Sequence, residues 1–360
     1  MPPPREYNPR ATLISALVIG GLIAWTYIRP APTKIIPNPD IVTETMGGIP
    51  VLIRLAHVQV TETEQAEIFS AITEELDEIN QVFSTYIPDS EISRINAAPA
   101  HTPLDLSPLF LSTYQRAAHW HKATGGAFDP GIGPLVRAYG FGAHAETNSP
   151  PASLAAAREA SGIRHFSLNA QNQLVKSRAD AELDFGGIAK GLAVDRVLNR
   201  IRTYNMNNAM VEIGGEVGAM GRTPVNTPWR IAVERPDPGT SGVELAEDVR
   251  PINLLNASLA GSGNYRQFRI DASGQPITHI IDPRTGTSAT HQVVAVTVHT
   301  AQCIDADALA TALFVLGNEE GLPWVERHPG IEALFITRNA AGFTNHRSSG
   351  FASIEAQAKE

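Results

Sequence analysis

LDFGGIAKG, at Leu183–Gly191, is the stretch that decides the fold and the site. Alternation in Ala181–Phe185 predicts a short strand, and the apolar spacing after the glycine pair predicts an amphipathic helix. Glycines allow a tight turn that a ligand can approach closely, and a helix start offers unpaired N–H groups that suit phosphate. Lys190 adds a positive charge in the first turn, and Asp184 precedes the glycines. An ordinary strand–helix turn with a surface lysine and a capping aspartate fits the same pattern.

The composition is that of a globular protein. The chain has 360 residues, enough for one large domain or two ordinary ones. Hydrophobic residues make up 43% and charged residues 18%, which gives no sign of wholesale disorder. The formal net charge of −9 argues against nucleic acid or an anionic membrane surface as the main partner. The single cysteine, Cys303, excludes an intramolecular disulfide and a cysteine-based zinc site.

Near the N-terminus lies an uncharged hydrophobic run, Ala11–Ile28. Its 18 residues are the minimum for a helix that crosses a bilayer. Trp25 and Tyr27 lie at its far end, where interfacial aromatic residues are expected. A cleaved secretion signal is the alternative, but no clean Ala-x-Ala site follows, so we favour a retained anchor. The signal-like layout predicts that the large domain lies on the outer, non-cytoplasmic side of the membrane.

Beyond the anchor, the pattern predicts an α+β fold. A long helix is predicted over Thr61–Phe83, with Thr61 or Thr63 as its cap, and the second half contains short strands separated by turn signals. We therefore expect mixed, mainly antiparallel sheets with flanking helices in one catalytic domain, preceded by a single N-terminal transmembrane helix. The expected boundaries are a cytoplasmic stub and anchor at 1–29, a Pro-rich linker at 30–42, the domain at 43–345 and a polar tail at 346–360.

A second candidate site lies in the helix predicted over Asp305–Leu316, which Gly317 ends. Asp307 and Thr311 are four residues apart, so their oxygens lie on one helix face. A carboxylate and a hydroxyl suit Mg²⁺, which takes few protein ligands and completes its octahedron with phosphate and water. The alternative is that Asp307 complements the helix dipole while Thr311 bonds its own helix.

Eight motifs occur in a fixed order along the chain. They are TMGG at 45–48, FSTYIPDSEISRIN at 83–96, GGAFDPGIGPLV at 125–136, LDFGGIAKGLAVDRV at 183–197, EIGGE at 212–216, SGNYR at 262–266, HIIDPRTG at 279–286 and DADALATALFVLG at 305–317. In this order they resemble the ApbE family of FAD:protein FMN transferases, over about residues 43–340.

This resemblance implies a reaction, a partner and a location. The reaction is Mg²⁺-dependent transfer of FMN from FAD to a Thr or Ser hydroxyl of a target protein, through a phosphoester bond, with release of AMP. The partner would be a flavoprotein subunit of a membrane redox complex. The location would be the bacterial inner membrane, single-pass through residues 11–28, with the catalytic domain facing the periplasm.

The resemblance also implies roles for individual residues. Asp307, the Thr311 hydroxyl and the Gly187 carbonyl would ligate Mg²⁺. Lys190 and Asp307 would serve catalysis together with His279, our candidate general base because histidine has a near-neutral pKa. Asp282 is the alternative base, or the residue that orients His279. The residues expected to contact FAD are Met46, Tyr86, Ala127, Phe128, Asp129, Asp184, Ile281 and Lys190, with the lysine against the pyrophosphate.

Two other functions keep the same residues but change the class of protein. One is a metal-dependent FAD pyrophosphatase, in which water replaces the acceptor hydroxyl and FMN and AMP are released. The other is a non-catalytic, membrane-tethered flavin-binding factor.

Overall fold

The computed structural model describes part of the chain. Its residues are 34–45, 48–143, 145, 151–236, 245–246, 248–264, 268–270, 276–289, 291–340 and 342–357. The predicted anchor and Met46 therefore lie outside the described residues. Within these ranges, we find no helix that is both long and apolar enough to cross a membrane.

The centre of the fold is an eight-stranded sheet in which every described pairing is antiparallel. Across the sheet the strands are β18 (Gly342–Arg347), β17 (Glu332–Asn339), β16 (Val293–Thr300), β11 (Ala257–Gly263), β8 (Glu216–Met220), β7 (Ala209–Ile213), β3 (Ile49–Leu55) and β2 (Asp40–Thr45). Together with the helices below, this sheet confirms the predicted α+β class. The expectation of mixed pairing was wrong for the described strands.

Shorter strands form two-stranded antiparallel ribbons around the sheet. They pair β1 (Ile35–Pro37) with β4 (Gln59–Thr61), β5 (Phe166–Leu168) with β6 (Leu174–Lys176), β9 (Trp229–Ile231) with β10 (Ile252–Leu254), β12 (Phe268–Ile270) with β13 (Pro276–Thr278), and β14 (Ile281–Asp282) with β15 (Thr287–Ser288).

The described helices lie on both faces of the sheet. They are α1 (Glu62–Phe83), α2 (Glu91–Ala97), α3 (Pro108–Ala123), α4 (Gly133–Ala138), α5 (Pro151–Ala160), α6 (Ala189–Thr203), α7 (Cys303–Glu326) and α8 (Phe351–Ile354). The start of α1 confirms the predicted cap, because Thr61 and Glu64 form a reciprocal capping box. Gly317 interrupts α7 with φ 72°, as predicted, but a second helical segment then continues to Glu326.

A hydrophobic core lies against each face of the sheet. The side chains of strand β17 alternate between the two cores, as expected for a β-strand. Ala333 and Phe335 belong to the core beneath α1, α3, α6 and α7. Leu334 and Ile336 face the opposite core, which also holds the β9–β10 ribbon and Phe351 of α8. The larger core therefore lies on the side that carries α6 and α7.

An aromatic cluster fixes the stretch that precedes α6. Phe185 lies 5.2 Å from Phe83 and 5.4 Å from Phe110 between ring centroids, and Phe83 and Phe110 lie 5.6 Å apart. Pairs at these separations contribute about 0.5–1.5 kcal/mol beyond the burial of their area. The start of α6 is thus held from the side of α1 and α3.

The strand predicted over Ala181–Phe185 was wrong, because no strand in the described part of the chain pairs with it. The side chain of Asn96 instead accepts the Leu183 N–H at 2.8 Å and donates to the Leu183 carbonyl at 2.9 Å. The Asp184 N–H donates to the Pro130 carbonyl at 2.7 Å. The Asn96 side chain and the Pro130 carbonyl therefore satisfy backbone N–H and C=O groups of this extended segment in place of a neighbouring strand.

Two predicted boundaries also need correction. Strands β1 and β2 begin inside the predicted linker, at Ile35 and Asp40. Pro37 ends β1 in a two-stranded ribbon, where an edge position tolerates proline, and β2 is the edge strand of the large sheet. The predicted polar tail is folded up to its last described residues, since Phe351 is fully buried and the Ala356 N–H donates to the Pro251 carbonyl at 2.7 Å. The domain therefore extends beyond residue 345.

If the C-terminal segment belongs to the core, Phe351→Ala lowers the free energy of unfolding by about 3–5 kcal/mol through lost burial and a residual cavity. Chemical denaturation measures this change. Gln357→Ala, at an exposed position, is the control and changes the free energy of unfolding by less than about 0.5 kcal/mol. Equal stability of the Phe351→Ala variant and the parent protein would contradict this packing.

Candidate active site

Helices α6 and α7 cap each other at their N-termini. The Gly191 N–H, in the first turn of α6, donates to Asp307 Oδ2 at 2.9 Å. In return, the two carboxylate oxygens of Asp195 accept the Cys303 and Ile304 N–H groups at the start of α7, each at 2.9 Å. The sequence places both helix starts far apart along the chain, and the structure brings them together.

Lys190 lies between two buried carboxylates. Its Nζ is 2.8 Å from Glu216 Oε1 and 3.8 Å from Asp307 Oδ1, and both acids are only 2% exposed. Burial alone would lower the pKa of Lys190, but the charges of Asp307 and Glu216 outweigh it and raise the pKa. Lys190 is therefore a permanent cation in this site.

Glu216 is the first residue of β8 and follows the turn at Gly214 and Gly215. Burial raises the pKa of Glu216 to about 7, although the charge of Lys190 opposes this shift. Its Oε2 finds no hydrogen-bond partner among the residues that the structure describes. A buried carboxylate oxygen without a donor is costly, so this atom indicates that the site is built to accept further positive charge.

Gly187 and Thr311 form a cradle next to these charges. A Cβ on Gly187 would lie 2.9 Å from Thr311 Oγ1 and 3.4 Å from the Phe128 ring, so only glycine leaves this space open. Ser262 Oγ lies 3.4 Å from Thr311 Oγ1. The predicted grouping of Gly187, Lys190, Asp307 and Thr311 is thus present in the folded chain.

These residues fit Mg²⁺ better than a metal that needs a full protein cage. The described ranges contain no group of three or more His, Cys, Asp or Glu side chains that could hold a metal by themselves. Asp307 Oδ1, the Thr311 hydroxyl and the backbone at Gly187 offer a few hard oxygen atoms, which is what Mg²⁺ takes when phosphates and water supply the rest. The unpartnered Glu216 Oε2 adds negative charge nearby.

Asp184 lines a separate cavity of about 210 Å³. Its Oδ1 accepts the Gly186 N–H at 2.7 Å, and burial raises its pKa. Thr85, Asn96 and Phe141 share this cavity. The Phe141 ring lies edge-on to the ring of His279, with 6.2 Å between centroids. Asp184 therefore lines this cavity directly, whereas His279 lies behind its wall, against Phe141.

The other predicted FAD contacts lie in three kinds of surroundings. Tyr86 is 71% exposed and free to stack on a planar ligand. Ala127, Phe128 and Ile281 are buried in hydrophobic packing. Asp129 Oδ1 accepts two backbone N–H groups, from Gly131 at 2.7 Å and from Ile163 at 2.8 Å, and burial raises its pKa. In this structure, the Asp129 carboxylate fixes its own loop.

Asp282, the alternative base, is held by a salt bridge. Arg284 donates from Nε to Asp282 Oδ1 at 3.0 Å and from Nη2 to Oδ2 at 2.9 Å, and its backbone N–H donates to Oδ1 at 2.9 Å. Both oxygens of this carboxylate therefore already accept charge-assisted hydrogen bonds from Arg284. This geometry favours His279 over Asp282.

Three further residues of the site were not predicted individually, although each lies in one of the eight motifs: Glu216, Asp195 and Asn96. The sequence did contain a signal for Glu216 and Asp195. Glu216 follows a glycine pair in EIGGE, and Asp195 lies among the apolar residues of LAVDRV. An acid inside an element predicted to be buried needs a specific partner. Asn96 gave no such signal, because its partner Leu183 is 87 residues away.

Solved structures of flavin transferases share this fold. The flavin transferase ApbE from Vibrio cholerae matches with a TM-score of 0.77 and 32% identity, covering 90% of this chain and all of that one. The apo flavinyl transferase ApbE of Pseudomonas stutzeri matches with a TM-score of 0.77 and 30% identity, covering 91% and 98%. Fold and site thus define an enzyme of the flavin transferase class.

The chain belongs to the ApbE family, whose sequence model matches residues 48–335. The FAD:protein FMN transferase of Vibrio cholerae is 37% identical over 278 residues, which cover 77% of this chain and 81% of that protein. The FAD:protein FMN transferase of Haemophilus influenzae is 36% identical over 282 residues, covering 77% and 80%.

The reciprocal caps make stability depend on pH through Asp195, because burial raises the pKa of Asp195 to about 6. A raised pKa means that the folded state favours the protonated acid. Protonated Asp195 therefore adds to the free energy of unfolding fully below the unfolded pKa of about 4, and this added stability is lost as the pH rises through 6. Relative to Asp195→Asn, the parent protein should therefore lose about 2–3 kcal/mol of unfolding free energy between pH 4 and pH 7.

Denaturation of both proteins at each pH measures this difference. Glu319→Gln is the control, because it removes an acid from an exposed position of the same helix α7. A difference between the parent and Asp195→Asn that stays constant with pH would exclude the titration of Asp195 in this range.

Proposed function

We propose that this chain transfers FMN from FAD to a Thr or Ser hydroxyl of a target protein, forming a phosphoester bond and releasing AMP, with Mg²⁺ as its cofactor. The observation that carries the proposal is the convergence of Lys190, Asp307, Thr311 and Gly187 at the facing starts of two helices. Similarity to the named FAD:protein FMN transferases supports the choice of FAD as donor.

The phosphate end of FAD would be bound at the starts of α6 and α7. Asp307 Oδ1, the Thr311 hydroxyl and the Gly187 carbonyl would hold Mg²⁺, which when bound offsets the charge of the pyrophosphate and stabilises the leaving phosphate. Lys190 would contribute a second positive charge to the same pyrophosphate. Because both helices are capped by each other, these groups keep their positions while the phosphorus is attacked.

His279 would remove the proton from the acceptor hydroxyl. The hydroxyl oxygen then forms a bond to the phosphorus of the FMN half, the bridging P–O bond of the pyrophosphate breaks, and AMP leaves with the bridging oxygen. A Thr or Ser hydroxyl is a poor nucleophile at neutral pH, and a positioned base contributes about 10²–10⁴-fold. Phe141 lines the cavity and lies against His279, so the acceptor hydroxyl would approach this base from the Phe141 side.

The flavin end would contact loops. Tyr86 is exposed and can stack on a ring, and Asp184 lines the cavity that Phe141 shares. Phe128 and Ala127 would support the flavin site from beneath. We retain Met46, Asp129 and Ile281 as proposed contacts on the family resemblance, with the Asp129 carboxylate acting through the loop that it fixes.

The partner and location are proposed from the same resemblance. The acceptor would be a flavoprotein subunit of a membrane redox complex in the periplasm. Residues 11–28 would anchor the enzyme in the bacterial inner membrane with its catalytic domain on the periplasmic side.

A transfer assay tests the function. The purified chain, FAD and Mg²⁺ are incubated with flavoprotein subunits from the same cell, and covalent flavin is read as fluorescence of the denatured protein. We expect one subunit to become fluorescent with one AMP released per flavin attached, and no labelling with EDTA. FMN and AMP without labelled protein would instead support the pyrophosphatase, and FAD binding without AMP release would support a binding factor.

For the metal site, Asp307→Ala should lower the transfer rate by about 100-fold or more, because loss of one charged ligand removes several kcal/mol of transition-state stabilisation. Raising the Mg²⁺ concentration should restore part of the rate if Asp307 acts through the metal. A variant that transfers FMN at the parental rate in limiting Mg²⁺ would contradict this role.

For the base, His279→Asn should lower kcat by about 10²–10⁴-fold while the Kd for FAD changes little. Fluorescence titration gives the Kd and the transfer assay gives kcat. The control is His119→Asn, which removes an exposed imidazole on α3 and should leave kcat unchanged. Equal loss of FAD binding and kcat in the His279 variant would assign the residue to binding.

A further inference from the structure

Glu216 and Lys190 form a buried pair inside the proposed metal site. Glu216 Oε1 accepts from Lys190 Nζ at 2.8 Å, whereas the same Nζ is 3.8 Å from Asp307 Oδ1. The ammonium is therefore bonded to one acid and only near the other. Both acids are almost fully buried, so neither distance is set by competition with bulk water.

The position of the ammonium matters because it competes with a cation for Asp307. Asp307 Oδ2 is engaged by the Gly191 N–H, which leaves Oδ1 as the oxygen that faces Lys190. Two positive charges at one carboxylate oxygen repel each other strongly where the dielectric is low. An ammonium bonded directly to Oδ1 would block a divalent cation.

Glu216 has a second oxygen available for the displaced ammonium. Its Oε2 has no hydrogen-bond donor among the described residues. Gly214 lies beside the pair, since a Cβ there would be 3.5 Å from Lys190 Cδ and 3.8 Å from Glu216 Oε2. Glu216 therefore has one oxygen that holds the ammonium and a second that no described donor occupies.

We propose that Glu216 is a positioning residue that holds Lys190 off Asp307, so that Asp307 Oδ1 stays available to the divalent cation. This inference rests on the metal site of the proposed function. Glu216 acts through Lys190 and does not touch the cation. Without Glu216, the ammonium moves to Asp307 and occupies the cation's place.

A double-mutant cycle tests whether Glu216 acts through Lys190. The probe is Mn²⁺ alone, which shares the preference of Mg²⁺ for oxygen ligands, and its free concentration is read by electron paramagnetic resonance on the full chain without FAD. The proteins are the parent, Glu216→Gln, Lys190→Met and the double variant. The control is Glu212→Gln, which removes the same charge from β7, where residue 212 pairs with Val217.

We expect Glu216→Gln to raise the Kd for Mn²⁺ by about tenfold in the parent, within the range of coupling between contacting residues. In the Lys190→Met background, the same change should alter the Kd by less than about twofold, because no ammonium remains to collapse onto Asp307. Glu212→Gln should also change it by less than about twofold. A tenfold rise in both backgrounds, or no rise in either, overturns the proposal.

A second variant keeps the test valid if Glu216→Gln unfolds, which thermal melting will reveal. Glu216→Asp keeps the charge but withdraws the carboxylate by one methylene, so it should raise the Kd by about threefold through a weaker hold on Lys190. A Kd equal to that of the parent would overturn the proposal. The cycle needs no transfer of FMN, so an enzyme that fails to label any acceptor can still confirm the role of Glu216, and a labelling enzyme can still refute it.

Discussion

Reciprocal capping of α6 and α7 is the constraint on which the site depends. In α6, the Gly191 N–H donates to Asp307, and Asp195 follows one turn later. In α7, the Cys303 N–H donates to Asp195, and Asp307 follows one turn later. The three bonds fix the starts of the two helices against each other. Each cap is worth only about 1 kcal/mol, but together they place Lys190, Asp307 and Thr311 without help from a ligand.

This arrangement also explains the charge of the site. When Lys190, Asp307 and Glu216 are all ionised, the three side chains together carry a net charge of minus one. A dinucleotide alone would be repelled, whereas a divalent cation turns the site positive and makes it attractive to a pyrophosphate. The raised pKa of Glu216 has the same origin, because burial penalises an excess negative charge.

The features that the sequence predicts correctly depend on residues close together in the chain. The pair Asp307 and Thr311 follows from helical periodicity, and the capping box at Thr61 follows from a four-residue signature. The failure at Ala181–Phe185 has the opposite cause, since the alternation was right for an extended segment but its hydrogen bonds come from Asn96. Partners brought in by the fold, such as Glu216 for Lys190, leave only a weak trace in a single sequence.

The two ends of the proposed substrate would thus meet different kinds of structure. The phosphate end would lie between capped helices that pack on an eight-stranded sheet, where hydrogen bonds fix the surrounding groups. The flavin and acceptor end would lie among loops, with His279 between two short ribbons and Tyr86 exposed after α1. Phosphoryl transfer needs exact placement only around the phosphorus. A rigid pyrophosphate site beside adaptable loops therefore suits an enzyme whose second substrate is a whole protein.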